Sequence, residues 1–264
     1  MVSSVLGGLR LALAALLVVA TVAPVMLIAL LPFRYRGAKW SHWCATWVAR
    51  LLNVIFNVRF HCTAPARIRA QRGLIFANHT SYLDIITLVV VAPTRFLSAA
   101  EVRRRPVIGW YAAAVDSVFV ERSEQHSRRA ARHAIGNALR SDPYPPIAIF
   151  PEGKLGPGDH LLPFRHGAFE MAIDNQTPYL PCAIRYDRPD LVTWYGGTRN
   201  ETMLAALWRL ARHNGAIHVE LIPLEPVQPA ADADPAQLAA ACQRQIEHAL
   251  GFAPSPTTIE AGEN

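Results

Sequence analysis

Residues 73–84 read GLIFANHTSYLD. The first half is a short apolar run opened by Gly73, which reads as a buried strand. The second half gives up hydrophobicity for an asparagine, a histidine, two hydroxyl residues and an aspartate. Residues 85–92 are then apolar again and continue at helical length. A strand, a polar loop and a helix in succession form the repeating unit of a parallel sheet covered by helices.

The same unit recurs along the chain. Short apolar runs fall at 94–99, 116–121, 147–150, 179–184 and 216–223, with helix-like stretches near 83–92, 101–114, 124–140, 165–175, 200–212 and 235–250. The expected fold class is therefore α/β, a largely parallel sheet flanked by helices. In such a sheet the loops leaving the carboxyl ends of the strands emerge on one edge, where ligands bind. NHTSYLD leaves the strand at 73–77, Glu121-Arg122-Ser123 leaves that at 116–121, and Pro151-Glu152-Gly153-Lys154 leaves that at 147–150. These three loops are expected to meet at one crevice.

In a continuous helix, residues five apart are about 140° out of phase. His79 and Asp84 therefore meet only if His79 lies in the loop and the helix begins near Ser81. Ser81-x-x-Asp84 also matches a capping box, which accounts for Ser81 and Asp84 without any function. It does not account for His79 at a strand end. If functional, His79 is a general base, and Asp84 fixes its tautomer and stabilises the imidazolium. No G-x-S-x-G elbow supplies a nucleophile. A base without its own nucleophile suits direct transfer to a hydroxyl of the substrate.

The other two loops read both ways. FPEGKLGPG (150–158) carries the punctuation of a strand-ending turn. Yet Glu152 at a strand's end is costly to bury without a partner, and Gly153 permits close approach of a ligand. Arg122 fits either a surface charge or a bidentate phosphate anchor.

NHTSYLD, VFVER, FPEG and LPCAI, in that order, resemble the four blocks of the glycerolipid acyltransferase family, which includes the 1-acylglycerol-3-phosphate acyltransferases. The resemblance covers roughly residues 55 to 225. His79 and Asp84 fit the HxxxxD signature, Arg122 the second block, Phe150 to Gly153 the third and Leu180 to Ile184 the fourth. LLPFRHGAF (161–169) is similar to the stretch that usually follows the third block. The resemblance implies that His79 deprotonates a hydroxyl of a lysophospholipid, which attacks the thioester of acyl-CoA or acyl carrier protein. It implies that Asp84 orients His79, that Arg122, Glu152 and Gly153 help bind the polar acceptor, and that neither a metal nor a cofactor is needed. Where the family often has Thr-Arg after FPEG, this chain has Lys154 and Leu155. Lys154 can supply a cation there, though a point charge on a flexible stem is not an equivalent phosphate clamp. The expected acceptor is 1-acylglycerol-3-phosphate, giving phosphatidic acid. The alternatives are another lysolipid such as lyso-ornithine lipid and, in other classes, a lipid thioesterase or a non-catalytic membrane-docking protein.

Composition places this chemistry at a membrane. Of 264 residues, 52% are hydrophobic and only 17% charged, more apolar than an ordinary soluble domain. From Leu11 to Phe33 there is no charge, which is long enough to span a bilayer and too long for a signal peptide's apolar core. A spanning helix and a hairpin dipping in at Pro24 both fit. Arg34, Arg36 and Lys39 follow the stretch while only Arg10 precedes it, so the remainder is expected on the cytoplasmic face of the inner membrane. Trp40, Trp43, Trp47, Leu51, Val54 and Val58 recur at helical spacing, which suits either a helix on the domain core or the bilayer interface. Expected units are thus an anchoring segment at 1–58, a catalytic domain at 59–251 and a disordered tail at 252–264. Cys44, Cys62, Cys182 and Cys242 show no metal-like spacing and read as thiols of a reducing compartment. The net charge of +6 is spread thinly, which favours an anionic membrane surface or substrate over nucleic acid. The basic run HSRRAARH (126–133) reads as a solvated helix face or as a contact for anionic headgroups. The remaining histidines show no zinc-like pattern.

Overall fold

The computed structural model describes residues 2–120, 125–195 and 201–253. Arg122, with Glu121 and Ser123, and most of the tail lie outside the described residues. Helix α1 (Val2–Ala29) leads through a short ladder, β1 (Arg34–Tyr35) and β2 (Ala38–Lys39), into α2 (Trp40–Ile55). There follow β3 (Val58–Cys62), α3 (Pro65–Ala70), β4 (Leu74–Ala77), α4 (Leu83–Val91) and β5 (Arg95–Ala99). Next come α5 (Ala100–Arg103), α6 (Ile108–Ala114), β6 (Val118–Val120), α7 (Gln125–Ser141), β7 (Ile147–Ile149), α8 (His166–Asp174) and β8 (Tyr179–Tyr186). The chain closes with α9 (Pro189–Val192), α10 (Met203–Arg212), β9 (Ile217–Pro223) and α11 (Pro235–Leu250).

Among the described residues the main sheet has seven strands in the order β3-β9-β8-β4-β7-β5-β6. All neighbours are parallel except β8 and β9, which pair antiparallel, so β3 and β9 run against the other five. The central strand β4 shows why the sheet needs helices on both faces. All four of its residues are buried, and their side chains alternate. Leu74 and Phe76 join a core with α7, α8 and α11, while Ile75 and Ala77 join the core on the opposite face. That opposite core takes in Ala14 of α1 and Ala49 of α2, so both N-terminal helices share it with the sheet.

Three sequence expectations need correction. The helix expected over 101–114 is interrupted: Pro106 separates α5 from α6, because a proline inside a helix removes a donor and clashes with the preceding turn. The tryptophan-rich helix ends at Ile55 rather than running on to Val58, and residues 58–62 form an edge strand. The hairpin at Pro24 is not formed, since α1 runs unbroken through that proline.

Helix α1 does not stand away from the domain. Arg10 donates through Nη1 to the carbonyls of Ala211 (3.2 Å) and His213 (2.5 Å) at the C-terminal end of α10. This places a cation at the negative end of that helix. Thr21 shares a hydrogen bond with the Tyr111 hydroxyl on α6. The two tethers are eleven residues, or about 16 Å, apart along the helix. Between and beyond them Val5, Leu9, Leu13, Leu16 and Val19 form an exposed apolar stripe, and on α2 Trp40, Trp47, Leu51 and Val54 are exposed as well.

Candidate active site

The loop after β4 is positioned residue by residue. Asn78, almost fully buried, donates through Nδ2 to the Ile184 carbonyl (3.0 Å) and accepts from the Ile184 N–H at Oδ1 (2.7 Å). Its side chain thereby extends the β4–β8 ladder while the main chain turns away. His79 is then fixed through its backbone by the loop after β7. Its N–H donates to Glu152 Oε1 (2.6 Å), and its carbonyl accepts from the Gly156 N–H (2.6 Å). The imidazole stacks on the Phe150 ring, with centroids 3.9 Å apart and planes 13° apart.

His79 Nδ1 lies 2.8 Å from Asp84 Oδ2, so the two residues meet across the helix start. Asp84 is wholly buried. Its Oδ2 also accepts from the backbone N–H groups of Thr80 (2.7 Å) and Ser81 (2.8 Å), and its Oδ1 from the Tyr186 hydroxyl (2.7 Å). With the imidazole N–H, four donors surround one carboxylate, which is what a buried anion requires. Burial, with the Asp84 carboxylate beside it, pushes the Tyr186 phenol well above its ordinary range, so it remains a donor. The Ser81 hydroxyl accepts from the Leu83 N–H (3.2 Å), the first donor of α4. One aspartate thus holds both the loop ahead of the helix and the histidine. No described residue hydrogen-bonds His79 Nε2, and 18% of the side chain is exposed.

Glu152 is 2% exposed and has both oxygens engaged by backbone: Oε1 by His79 and Oε2 by the Leu162 N–H (3.0 Å). Burial pushes its carboxyl up to about 8, opposed by those two N–H groups, with the Asp84 charge raising it further. A carboxyl raised on folding binds protons that the unfolded chain has released. Stability therefore falls as pH rises from about 4.5 towards 8, by at most about 1.4 kcal/mol per unit. Glu152→Gln, which cannot ionise, is expected to flatten that slope in thermal melts taken at successive pH values. An unchanged slope would mean that Glu152 does not titrate in that window.

Gly156 is required where it stands, because a Cβ there would sit 2.6 Å from Glu152 Oε2. Gly153 has φ +73°, and a Cβ on it would lie 2.7 Å from Arg165 Nε. Arg165, just ahead of α8, therefore lies against the Glu152-Gly153 turn, while Lys154 is exposed. The sheet order sets the remaining distance. Strand β6, which feeds the Arg122 loop, lies three strands from β4, or about 14 Å at ordinary strand spacing. The structure thus brings His79, Asp84, Glu152 and Gly153 together, and no position is described for Arg122. Tyr186, Phe150, Gly156 and Arg165 complete the site without having been assigned parts from sequence.

Comparison with known proteins bears on the family and the fold. A family model described as Acyltransferase matches residues 58–185. The chain is 34% identical over 231 residues to the lyso-ornithine lipid O-acyltransferase of Pseudomonas aeruginosa, covering 86% of this chain and 83% of that one. It is 29% identical over 259 residues to the enzyme of the same name from Brucella abortus, covering 89% and 92%. A 1-acyl-sn-glycerol-3-phosphate acyltransferase of Neisseria gonorrhoeae is 32% identical over 122 residues, 46% of this chain and 47% of that one. The crystal structure of the 1-acyl-sn-glycerophosphate acyltransferase PlsC from Thermotoga maritima superposes with a TM-score of 0.70 at 19% identity, covering 93% of each chain, and so shares the fold. On this footing the chain is an enzyme and belongs to the glycerolipid acyltransferase family.

Proposed function

We propose that this enzyme transfers a fatty acyl chain from acyl-CoA or acyl carrier protein to the hydroxyl of a lysolipid, with lyso-ornithine lipid the preferred acceptor. The chemistry rests on the His79–Asp84 pair at 2.8 Å, held at the carboxyl edge of the sheet. Asp84 accepts a hydrogen bond from Nδ1–H, which keeps the proton on Nδ1 and leaves the Nε2 lone pair free as the base. Nε2 accepts the proton of the acceptor hydroxyl as its oxygen forms a bond to the thioester carbon. The C–S bond then breaks, and the departing sulfur takes the proton back from the imidazolium. The new ester and a free thiol are the products, and His79 returns to its starting state. Asp84, unable to leave its four donors, steadies the imidazolium between the two steps. Glu152 acts by fixing the His79 backbone, and Arg165 and Lys154 supply cations beside the turn.

The choice of acceptor follows from coverage. The lyso-ornithine lipid enzymes align along 86% and 89% of the chain, whereas the 1-acylglycerol-3-phosphate enzyme of Neisseria gonorrhoeae aligns along 46%. Lys154 and Leu155 also stand where the family often has Thr-Arg, so a phosphate clamp is weakened. Lysophosphatidate is the second reading, carried by those shorter alignments. Purified enzyme given equal concentrations of each acceptor should show a kcat/KM at least about tenfold higher for lyso-ornithine lipid, a discrimination of 1.4 kcal/mol. A preference of the same size for lysophosphatidate would reverse the assignment.

The membrane supplies both lipids. Helix α1 is tied to the domain at Arg10 and Thr21 and exposes an apolar stripe, and α2 exposes Trp40 and Trp47. Residues 3–29 are also long and apolar enough to cross a bilayer, which suits a membrane anchor with the domain held against it. Arg34, Arg36 and Lys39 behind the apolar stretch, together with four unpaired cysteines, favour the cytoplasmic face of the inner membrane.

A further inference from the structure

The crossover from β5 to β6 carries two short helices, α5 and α6, folded into a knuckle whose sequence is EVRRRPVIGW (101–110). Arg103, Arg104 and Arg105 are all exposed, and just beyond them Ile108 is 47% and Trp110 44% exposed. An exposed tryptophan and isoleucine beside three exposed arginines have no packing explanation within the domain.

Three local devices hold this group together. Val107 adopts φ +67°, ψ −61°, and the Ile108 N–H donates to the Pro106 carbonyl at 2.7 Å, closing a tight three-residue turn. A β-branched residue in that conformation is strained, and such strain persists where the surroundings impose it. Gly109 lets α6 press onto α5, since a Cβ there would lie 2.4 Å from the Arg103 carbonyl oxygen. The Arg103 guanidinium is seated over the Phe119 ring of β6, 5.6 Å from its centroid.

The knuckle continues two surfaces already described. Tyr111 of α6 bonds Thr21 of α1, so the helix that carries the exposed Ile108 and Trp110 packs against the helix that carries the exposed stripe. On its other side the Arg105 charge is felt at Tyr82 in the NHTSYLD loop, whose phenol is pushed up by burial and pulled back by Arg105. The nearby acids do not cancel the arginines: Glu101 is single, and Asp116 is paired with Lys39 at 2.9 Å.

We propose that residues 101–110 form an electrostatic dock for an anionic lipid surface. The three arginines engage headgroup phosphates while Ile108 and Trp110 enter the interfacial layer, turning the His79 edge of the sheet towards the leaflet that supplies the acceptor. Guanidinium groups suit phosphate oxygens, and tryptophan suits the interface. The inference rests on the reading of α1 as a membrane anchor and adds a preference for lipid charge.

The test compares the full chain with the Arg103→Gln/Arg104→Gln/Arg105→Gln variant on neutral phosphatidylcholine vesicles and on vesicles also containing phosphatidylglycerol. Each arginine near an anionic surface is worth about fivefold in partitioning. The wild-type chain should bind the anionic vesicles at least about tenfold better than the neutral ones, and added salt should erode the difference. The variant should lose most of that gain, bind neutral vesicles as before, and keep its activity towards acceptor dispersed in neutral detergent. A variant that keeps the anionic gain overturns the proposal. So does one whose activity in neutral detergent falls in step with vesicle binding, because the arginines would then be holding the acceptor. Failure of the wild-type chain to bind neutral vesicles counts against anchoring by α1, and is read separately from the difference on anionic ones.

Discussion

His79→Ala is expected to lower kcat for acceptor acylation by about a thousandfold, within the range that a positioned general base supplies, with KM changed little. The base acts only as the hydroxyl proton is transferred, so its loss is felt in the transition state rather than in binding. The imidazole packs on Phe150 and is partly exposed, and its removal leaves Asp84 with three other donors. The fold should therefore survive. Steady-state thiol release, read beside a thermal melt, separates the two effects. A variant retaining activity within tenfold of wild type would show that the base lies elsewhere.

The second large effect is expected at Asp84, where two substitutions distinguish charge from structure. Three N–H groups converge on Oδ2, so the amide of Asp84→Asn must place its oxygen there and turn its NH2 towards Tyr186, whose hydroxyl then accepts. The hydrogen bonds are largely kept, but the negative charge beside the imidazolium is lost. We expect kcat to fall about a hundredfold to a thousandfold with little change in melting temperature. Asp84→Ala removes the acceptor altogether. The Thr80 and Ser81 N–H groups and the Tyr186 hydroxyl are then buried without partners, each costing about 1–3 kcal/mol. That variant should lose the same activity and much of its stability. Equal melting temperatures for the two variants would show that Asp84 does not hold the helix start together.

Much of this arrangement is legible in the chain. β4 is recognisable because four consecutive apolar residues between Gly73 and Asn78 leave little choice but a strand buried on both faces. The meeting of His79 with Asp84 follows from the capping pattern at Ser81, which sets where the helix begins. β3 is hard to read in the chain although VRFHC alternates, since it follows a tryptophan-rich helix with only Phe56 and Asn57 between. The antiparallel pairing of β8 with β9 is not written in either strand: β8 is a nearly continuous apolar run and IHVELIP of β9 alternates, which marks how far each is buried but not its direction against the other. The site shows the same division. Tyr186 reaches Asp84 only because β8 lies beside β4, and Glu152 reaches His79 only because β7 lies on its other side. Strand order, which local sequence does not encode, decides both contacts. Glu152 also illustrates a limit of motif reading: the resemblance implies a part in acceptor binding, and nothing in the motif signals that its two oxygens accept the backbone N–H groups of His79 and Leu162.

The central claim is direct transfer from thioester to hydroxyl through His79, without an acylated enzyme and without hydrolysis. The measurement that tests it most directly is a rapid acid quench of the enzyme with radiolabelled acyl thioester, in the presence and absence of lyso-ornithine lipid. With acceptor, thiol and labelled ester should appear together in equal amounts. Without it, neither thiol release nor label on the protein should rise above the level seen with His79→Ala. A burst of thiol with label retained on the protein, or steady thiol release into free fatty acid, would contradict the account.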